Sequence, residues 1–180
     1  IRDPKYFPRK KFKGDAAVQI VSSGPDSREE EIKAMFLKMI YEAEKKIYIQ
    51  TPYFIPDQSM LEALKLASRA GVDVKIMIPD RGDHPFVYAA NNSFVGQLLD
   101  SGAHCYRYTK GFLHIKTICI DSRVISIGTT NMDVRSFKLN FEINAFIYDR
   151  ERAEYHDQLF KKDLKNSEEI TKELFESRGW

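Results

Sequence analysis

The chain has 180 residues, of which 43% are hydrophobic and 30% are charged, and its formal net charge is only +2 at pH 7. A chain of this length can bury about 70% of its unfolded surface in one core, so we expect a single compact domain. The apolar runs fall far short of the roughly 18 residues of a membrane span, and no signal peptide is visible. The composition therefore predicts a soluble globular piece.

The first fifteen residues differ in composition from the rest of the chain. They contain six basic and two acidic side chains, a net of 6 − 2 = +4, so the remainder carries +2 − 4 = −2. Tyr6, Phe7 and Phe12 alternate with these cations, as suits an arm that lies on anionic lipid headgroups. Two prolines suit an extended linker between domains, which we favour over the lipid contact. We divide the chain into a basic linker or arm, residues 1–15, and one domain, residues 16–180.

In the first half of this domain, strands and helices are predicted to alternate. Apolar and β-branched residues cluster in four segments, which predict strands at 18–21, 47–51, 72–78 and 103–108. Three helices are predicted between these strands. A capping box of Ser27 and Glu30 begins the first helix, to about residue 46; Asp57 or Ser59 caps the second, to about residue 70; Asp83 begins the third, to about residue 99.

In the second half, the predicted strands follow one another closely. They lie at 114–121, 124–130 and 142–148, and helices are predicted from about residues 151 and 167. A short turn, Asp121-Ser122-Arg123, makes the first two of these strands antiparallel. Alternation followed by clustered strands indicates an α/β fold, in which a mixed β-sheet is sandwiched between helices.

Four polar side chains of the second half have the chemistry that phosphodiester cleavage requires. A phosphodiester is anionic and repels nucleophiles, so its cleavage needs fixed cations, neutral donors and a nucleophile that forms a covalent adduct. His114 supplies an imidazole, and Lys116, two residues along the predicted strand, projects its ammonium to the same side. Asn131 adds amide donors. Glu142 can accept a hydrogen bond from the other ring nitrogen of His114 and fix its tautomer.

Asp121 has the opposite parity from His114 and Lys116 along the predicted strand. Its carboxylate is therefore expected to face away from the phosphate, which gives it a supporting role.

These residues have the spacing of a known catalytic motif. The pattern of His114, Lys116, Asp121, Gly128, Thr129 and Asn131 resembles the His-Lys-Asp motif of the phospholipase D superfamily. Segments 51–57, 71–74, 111–114 and 140–142 further resemble the C-terminal catalytic half of bacterial cardiolipin synthases, over roughly residues 18–177. The resemblance implies a phospholipase D-like fold with catalytic residues His114, Lys116, Asp121, Asn131 and Glu142. Thr129 stands where the superfamily often has Ser and keeps the hydroxyl, here assigned to substrate binding.

Members of the superfamily use two such motifs that face each other, whereas this sequence contains one His-any-Lys. Because the chain also starts at Ile1 and stops at Trp180, we expect a fragment whose parent has the other motif in its N-terminal half. Two copies of the chain meeting as a homodimer are the alternative.

The resemblance also implies a reaction. One histidine attacks phosphorus to give a phosphohistidine, and the second protonates the leaving alcohol. Two phosphatidylglycerol molecules would give cardiolipin and glycerol, with no metal or other cofactor. The parent is expected in the bacterial cell membrane, in contact with its anionic surface.

Two aromatic residues follow the predicted strand 47–51, where ligands often bind in open α/β sheets. Tyr53 and Phe54 are therefore candidates for lining a substrate channel, and packing in the core is the equally weighted alternative.

The cysteines and histidines do not have the spacing of a metal site. Cys105 and Cys119 are expected as buried thiols, and no zinc site is predicted. His84 is expected to cap a helix or contact substrate, and His104 and His156 to lie on the surface.

Three functions stay open on the sequence. The first is a phosphatidyltransferase half-site, and the second is a homodimeric phosphodiesterase that cleaves nucleic acid. The third is an inactive module that packs against another domain. The net positive charge is confined to residues 1–15. This disfavours nucleic acid as a partner, because a nuclease needs an excess of cations around its cleft.

Overall fold

The computed structural model describes residues 3, 5, 13–27, 29–80 and 85–177. Within these ranges the chain forms an α/β fold. The helices are α1 (Glu31–Tyr41), α2 (Gln58–Arg69), α3 (Pro85–Leu99), α4 (Val134–Lys138), α5 (Arg150–Leu164) and α6 (Lys172–Ser177). The strands are β1 (Ala17–Ser23), β2 (Lys46–Gln50), β3 (Phe54–Ile55), β4 (Asp73–Pro79), β5 (His104–Tyr108), β6 (Thr117–Ile120), β7 (Val124–Gly128), β8 (Met132–Asp133), β9 (Glu142–Tyr148) and β10 (Ser167–Glu169).

Eight strands form one mixed sheet in the order β1-β9-β7-β6-β2-β4-β5-β10. β2, β4 and β5 are mutually parallel, as the alternation of strands and helices in the first half predicts. β6, β7, β9 and β1 each run antiparallel to their neighbour, as does β10 on β5. β3 and β8 form a separate short parallel pair. The predicted mixed sheet between helices is confirmed.

One face of the sheet packs against α1, α2 and α3 and contains the main core. Each fully buried aliphatic side chain there contributes about 1.5–3 kcal/mol by leaving water. The side chains of this main core that come from the three helices and the central strands include Ile32, Phe36, Leu61, Leu64, Val95, Leu98, Ile49 and Ile76. Asp57 holds the start of α2, because its side chain accepts a hydrogen bond from the N–H of Met60 at 3.0 Å.

α5 covers part of the opposite face. Phe160 of this helix stacks on Tyr48 of β2, with ring centroids 4.6 Å apart, and Met77 of β4 joins the same cluster. Ala153 covers a second small cluster with Cys119. None of the helices in the described part of the chain is both long and apolar enough to cross a bilayer.

The predicted strand 114–121 is shorter in the structure, since β6 begins at Thr117. Thr117 pairs with Gln50, the last residue of β2, and the chain leaves the ladder at Thr51 and Pro52. Residues 114–116 therefore have no neighbouring strand on that side and precede the sheet. The prediction that one strand holds both His114 and Lys116 is therefore wrong, because β6 begins after both residues.

Two predicted helix starts also differ from the structure. Glu30 caps α1 without a side-chain hydrogen bond, and Ser27 donates its hydroxyl to Glu31 instead, so the capping box is wrong. Residue 167 begins strand β10, because the edge of β5 accepts it as a partner. Asp83 and His84 lie outside the described residues, as does most of the arm, and the boundary at residue 15 stays a prediction.

Candidate active site

The directions of the strands bring all the predicted site residues except Asp121 to one edge of the sheet. β2, β4, β5 and β7 end at this edge, and β6 and β9 begin there. We call it the site edge. Lys116 precedes β6, Thr129 follows β7, and Glu142 opens β9. Carboxyl ends of strands in open α/β sheets are common binding places, so the topology supports the sequence prediction.

His114 presents its imidazole to solvent at the site edge. Its ring stacks on Phe112, with centroids 5.6 Å apart and planes 24° from parallel. Between them in sequence, Leu113 is buried among Tyr48, Met77 and Phe160 and anchors the loop to the α5 face. The buried side chain of Leu113 therefore anchors the loop that presents His114, the candidate nucleophile, to solvent.

Lys116 bends back toward His114. Its Nζ donates a hydrogen bond to the main-chain oxygen of His114 at 3.0 Å. Burial lowers the pKa of Lys116, while the carboxylates of Glu142 and Asp133 oppose that shift, so the half-buried ammonium lies in the field of both. This contact holds the cation on the main chain of His114 without the strand geometry that the sequence suggested.

Glu142 does not bond His114 in the described part of the chain. The carboxylate is buried at the start of β9 and accepts a hydrogen bond from Asn140 Nδ2 at 3.0 Å. Its electrostatic effect falls on Lys116. The predicted role as the group that orients His114 is not seen, and Glu142 instead helps to balance the charge of Lys116.

Asn131 is held through its main chain. Its N–H donates to Ser136 Oγ at 3.3 Å, and its Oδ1 is buried with no hydrogen-bond partner among the described residues. Asp133 fixes the following turn by accepting a hydrogen bond from the N–H of Ser136 at 2.6 Å, so it caps α4. Asp133 and Ser136 thus shape the loop.

Thr129 uses its hydroxyl on the neighbouring strand. Oγ1 accepts from the N–H of Ile143 at 2.9 Å and donates to its carbonyl at 3.4 Å. Gly128 lets the strands approach so closely, because a Cβ there would lie 2.3 Å from the Ile143 carbonyl oxygen and 2.2 Å from Asn144 Oδ1. The substrate-binding assignment of Thr129 stays a prediction, and its observed partner is β9.

A buried polar network that was not predicted from the sequence lies behind this motif. Asn144 Oδ1 accepts from Thr130 Oγ1 at 2.7 Å, and its Nδ2 donates to Ser126 Oγ at 2.9 Å. All three side chains are buried. Two polar residues at alternate positions, Glu142 and Asn144, on a strand that faces the helix layer were the available signal.

The two aromatic candidates separate in the structure. Phe54 has no exposed surface and packs in the main core, so it takes the core position and does not line a channel. Its N–H donates to Asn91 Oδ1 at 2.9 Å. Tyr53 is half-buried, and its carbonyl accepts a hydrogen bond from Thr51 Oγ1. Tyr53 therefore stays a candidate and Phe54 does not.

Asp121 lies at the other end of β6 from Lys116. Its carboxylate accepts hydrogen bonds from the N–H groups of Glu44, Lys45 and Lys46 at 2.8–2.9 Å. Asp121 and Ser122 both have φ near +54°, the conformation of the two central residues of a type I′ hairpin. The motif carboxylate thus ties the β6–β7 hairpin to the loop before β2.

His156 is buried on α5, so its expected surface position is wrong. Its Nε2 is 3.0 Å from Thr117 Oγ1, and it forms a group of potential metal ligands with Cys119 and Asp157. Burial raises the pKa of the Cys119 thiol, and Asp157 already pairs with Lys46. The charges of this group are therefore balanced within the chain.

Comparison with known proteins places the site in a family. Residues 36–164 match the family described as "Cardiolipin synthase, PLD-like domain". The chain belongs to this family. Among its relatives, the cardiolipin synthase of Listeria welshimeri serovar 6b is 49% identical over 98% of this chain, and cardiolipin synthase 1 of Staphylococcus epidermidis is 52% identical over 98%. In both cases the match covers 36% of the relative, so this cardiolipin synthase-like chain spans about a third of their length.

Solved structures support the same fold. Nuc, a phospholipase D family member from Salmonella typhimurium, matches 87% of this chain and 99% of its own with a TM-score of 0.73 at 22% identity. The phosphatidylserine synthase of Haemophilus influenzae matches 89% of this chain and 41% of its own with a TM-score of 0.70 at 18% identity. The phospholipase D-like fold predicted for this family member is confirmed.

Proposed function

We propose that the chain supplies one of two half-sites for phosphatidyl transfer between two phosphatidylglycerol molecules. The observation that carries the proposal is the exposed imidazole of His114 at the site edge, with the ammonium of Lys116 held on the main-chain oxygen of the same residue. An exposed imidazole can reach a phosphorus atom, and a partly buried cation stabilises charge on the phosphate oxygens more strongly than one in water.

In the proposed reaction, His114 or its counterpart in the other half-site attacks phosphorus. An N–P bond forms, the P–O bond to glycerol breaks, and the second imidazole protonates the departing oxygen. The terminal hydroxyl of a second phosphatidylglycerol then attacks, its proton passes to that second imidazole, and the N–P bond breaks to give cardiolipin. The two imidazoles alternate between base and acid, so their pKa values belong to the pair.

A large apolar surface beside the site supports a missing partner half. On the α5 face, the register aligns Thr117, Ile127, Ala145 and Ile20 in one row across four strands. α5 covers Thr117 through His156, yet Ile127 and Ile20 are 45% and 61% exposed. Exposed apolar patches of this kind are typical of interfaces.

This surface continues toward the site edge through Ile143 and Phe141, which are 51% and 73% exposed. About two thirds of the length of the relatives lies outside this chain. We propose that the remaining part of the parent, with the other motif, covers this face. A homodimer through the same face is the alternative for the isolated chain.

The test measures both products and intermediates. The chain alone and the chain joined to the rest of its parent are incubated with phosphatidylglycerol vesicles and separately with supercoiled plasmid. The joined protein should release glycerol and yield an acid-labile phosphohistidine, and the isolated monomer should be weakly active or inactive. Substantial turnover by a chain that sediments only as a monomer contradicts the half-site, and plasmid nicking without glycerol release favours the nuclease.

A further inference from the structure

A cleft opens at the site edge beside the motif. It has a volume of about 400 Å³ and is lined by Asp80, Thr109, Gly111 and Phe112. Asp80 directly follows β4 and Thr109 directly follows β5, so both lie at the edge where the motif residues converge. Phe112 belongs to the cleft and also stacks on His114 at 5.6 Å. The cleft and the imidazole therefore share one aromatic wall.

The cleft offers hydrogen-bond acceptors. Asp80 is half-buried, its N–H donates to the Tyr108 carbonyl at 3.0 Å, and its carboxylate has no side-chain hydrogen bond or ion pair within the described ranges. Thr109 donates its hydroxyl to the Asn166 carbonyl at 2.9 Å, so the oxygen keeps its lone pairs for an incoming donor. An ionised carboxylate only accepts hydrogen bonds.

Charge decides which part of a phospholipid fits here. A carboxylate repels a phosphate, whereas Lys116 and His114 attract one, so the phosphate belongs at the motif and not in this cleft. Hydroxyl groups are the complementary donors, and two neighbouring hydroxyls can engage both oxygens of Asp80. The ring of Phe112 offers an apolar surface to the carbon backbone of such a polyol.

We propose that this cleft is the subsite for the glycerol group, and this rests on the proposed function. In transfer between two phosphatidylglycerol molecules, the departing glycerol and the incoming terminal hydroxyls are the same chemical group. One cleft next to His114 can therefore hold the leaving glycerol as the P–O bond breaks and the acceptor diol before its hydroxyl attacks. Asp80 and Thr109 select polyols over simple alcohols.

The kinetic test uses the full-length parent with phosphatidylglycerol vesicles, and labelled glycerol competes with ethanol as acceptor. Asp80→Ala should raise the glycerol concentration for half-maximal incorporation about tenfold, since a hydrogen bond to a charged group is lost. Thr109→Val should raise it about threefold. Incorporation of ethanol should fall less than incorporation of glycerol, because both acceptors attack the same phosphohistidine and only glycerol uses the cleft as an acceptor. Asp100→Asn is the matched control, because this exposed aspartate lies at the far end of α3 and pairs with Lys172.

An unchanged ratio of glycerol to ethanol products in Asp80→Ala, with phosphohistidine still formed, overturns the subsite and leaves the proposed function intact. Absence of phosphohistidine in the wild type counts against the proposed function instead. Saturation-transfer NMR with glycerol as the probe then decides the subsite without turnover. Wild type and Asp100→Asn should show the glycerol signal and Asp80→Ala should lose it; no signal in the wild type, or an equal signal in Asp80→Ala, overturns the proposal.

Discussion

The two ends of β6 carry residues of one sequence motif and differ in almost every physical respect. At the site edge, His114 is exposed and Lys116 keeps a partly buried ammonium. At the opposite end, three main-chain N–H groups hold the carboxylate of Asp121. A residue at the first end is available to a ligand, while one at the second is already satisfied within the chain. Membership of a motif therefore does not by itself assign a residue to chemistry.

Replacing His114 should have the largest effect. His114→Ala removes the proposed nucleophile, so we expect about 10⁴-fold or greater loss of turnover in the full parent and no trapped phosphohistidine. Because the side chain is exposed, the thermal unfolding midpoint should stay within about 1–2 °C of wild type. Trapping of equal amounts in wild type and variant, measured by acid-labile label, would contradict the role.

Replacing Lys116 tests the electrostatic part of the same end. Lys116→Met keeps much of the side-chain length and removes the ammonium, so turnover should fall about 10²- to 10³-fold. The loss should appear in the rate of phosphohistidine formation in rapid-quench experiments. Lys110→Met is the control, as an exposed lysine of the preceding loop. A variant that forms the intermediate at the wild-type rate would remove Lys116 from the mechanism.

Replacing Asp121 should lower the stability of the fold and leave the chemistry unchanged. Asp121→Asn keeps the shape but weakens three charge-assisted hydrogen bonds, and we expect a loss of about 2–3 kcal/mol in the free energy of unfolding by urea. Phosphohistidine per folded molecule should not change. Asp26→Asn, in an exposed turn, is the control. If turnover falls while the unfolding curve stays in place, the contrast between the two ends fails.

His156 predicts the smallest effect, a dependence of stability on pH. Burial lowers its pKa from the ordinary value of 6.5, and the carboxylates of Asp157 and Asp163 oppose that shift. The unfolded chain therefore binds a proton that the folded chain resists, so stability is complete above about pH 6.5 and falls as pH drops below it. The slope is at most about 1.4 kcal/mol per pH unit. His156→Gln should flatten this limb of the urea-unfolding profile.

Much of the fold follows from local signals in the sequence. The apolar runs that became β2 and β4 and the capping aspartate Asp57 needed no partner information. β10 and the start of β6 could not be found this way, because each depends on a neighbouring strand. β10 forms because β5 has an unpaired edge, and β6 begins where its pairing with β2 begins. The pairing of β3 with β8 is shorter than any periodic pattern.

In the candidate site, too, local sequence identified some residues, whereas contacts between distant segments could not be predicted. Residue types and spacing identified His114 and Lys116, since phosphate chemistry constrains both. Contacts that join distant segments were hidden, and they include the carboxylate of Glu142 near Lys116 and the burial of Phe54 behind α3. The sequence suggested the groups that react, and tertiary packing decided which of their neighbours support them.

The position of His114 depends on α5 through the side chain of Leu113. That side chain packs in one cluster with Phe160 of α5, while the next residue along the chain bears the imidazole. If α5 packs less tightly, Leu113 and the neighbouring imidazole of His114 should therefore be positioned less precisely, although no group that touches phosphate has changed. Cavity-forming changes at Phe160 should consequently slow turnover before they unfold the protein.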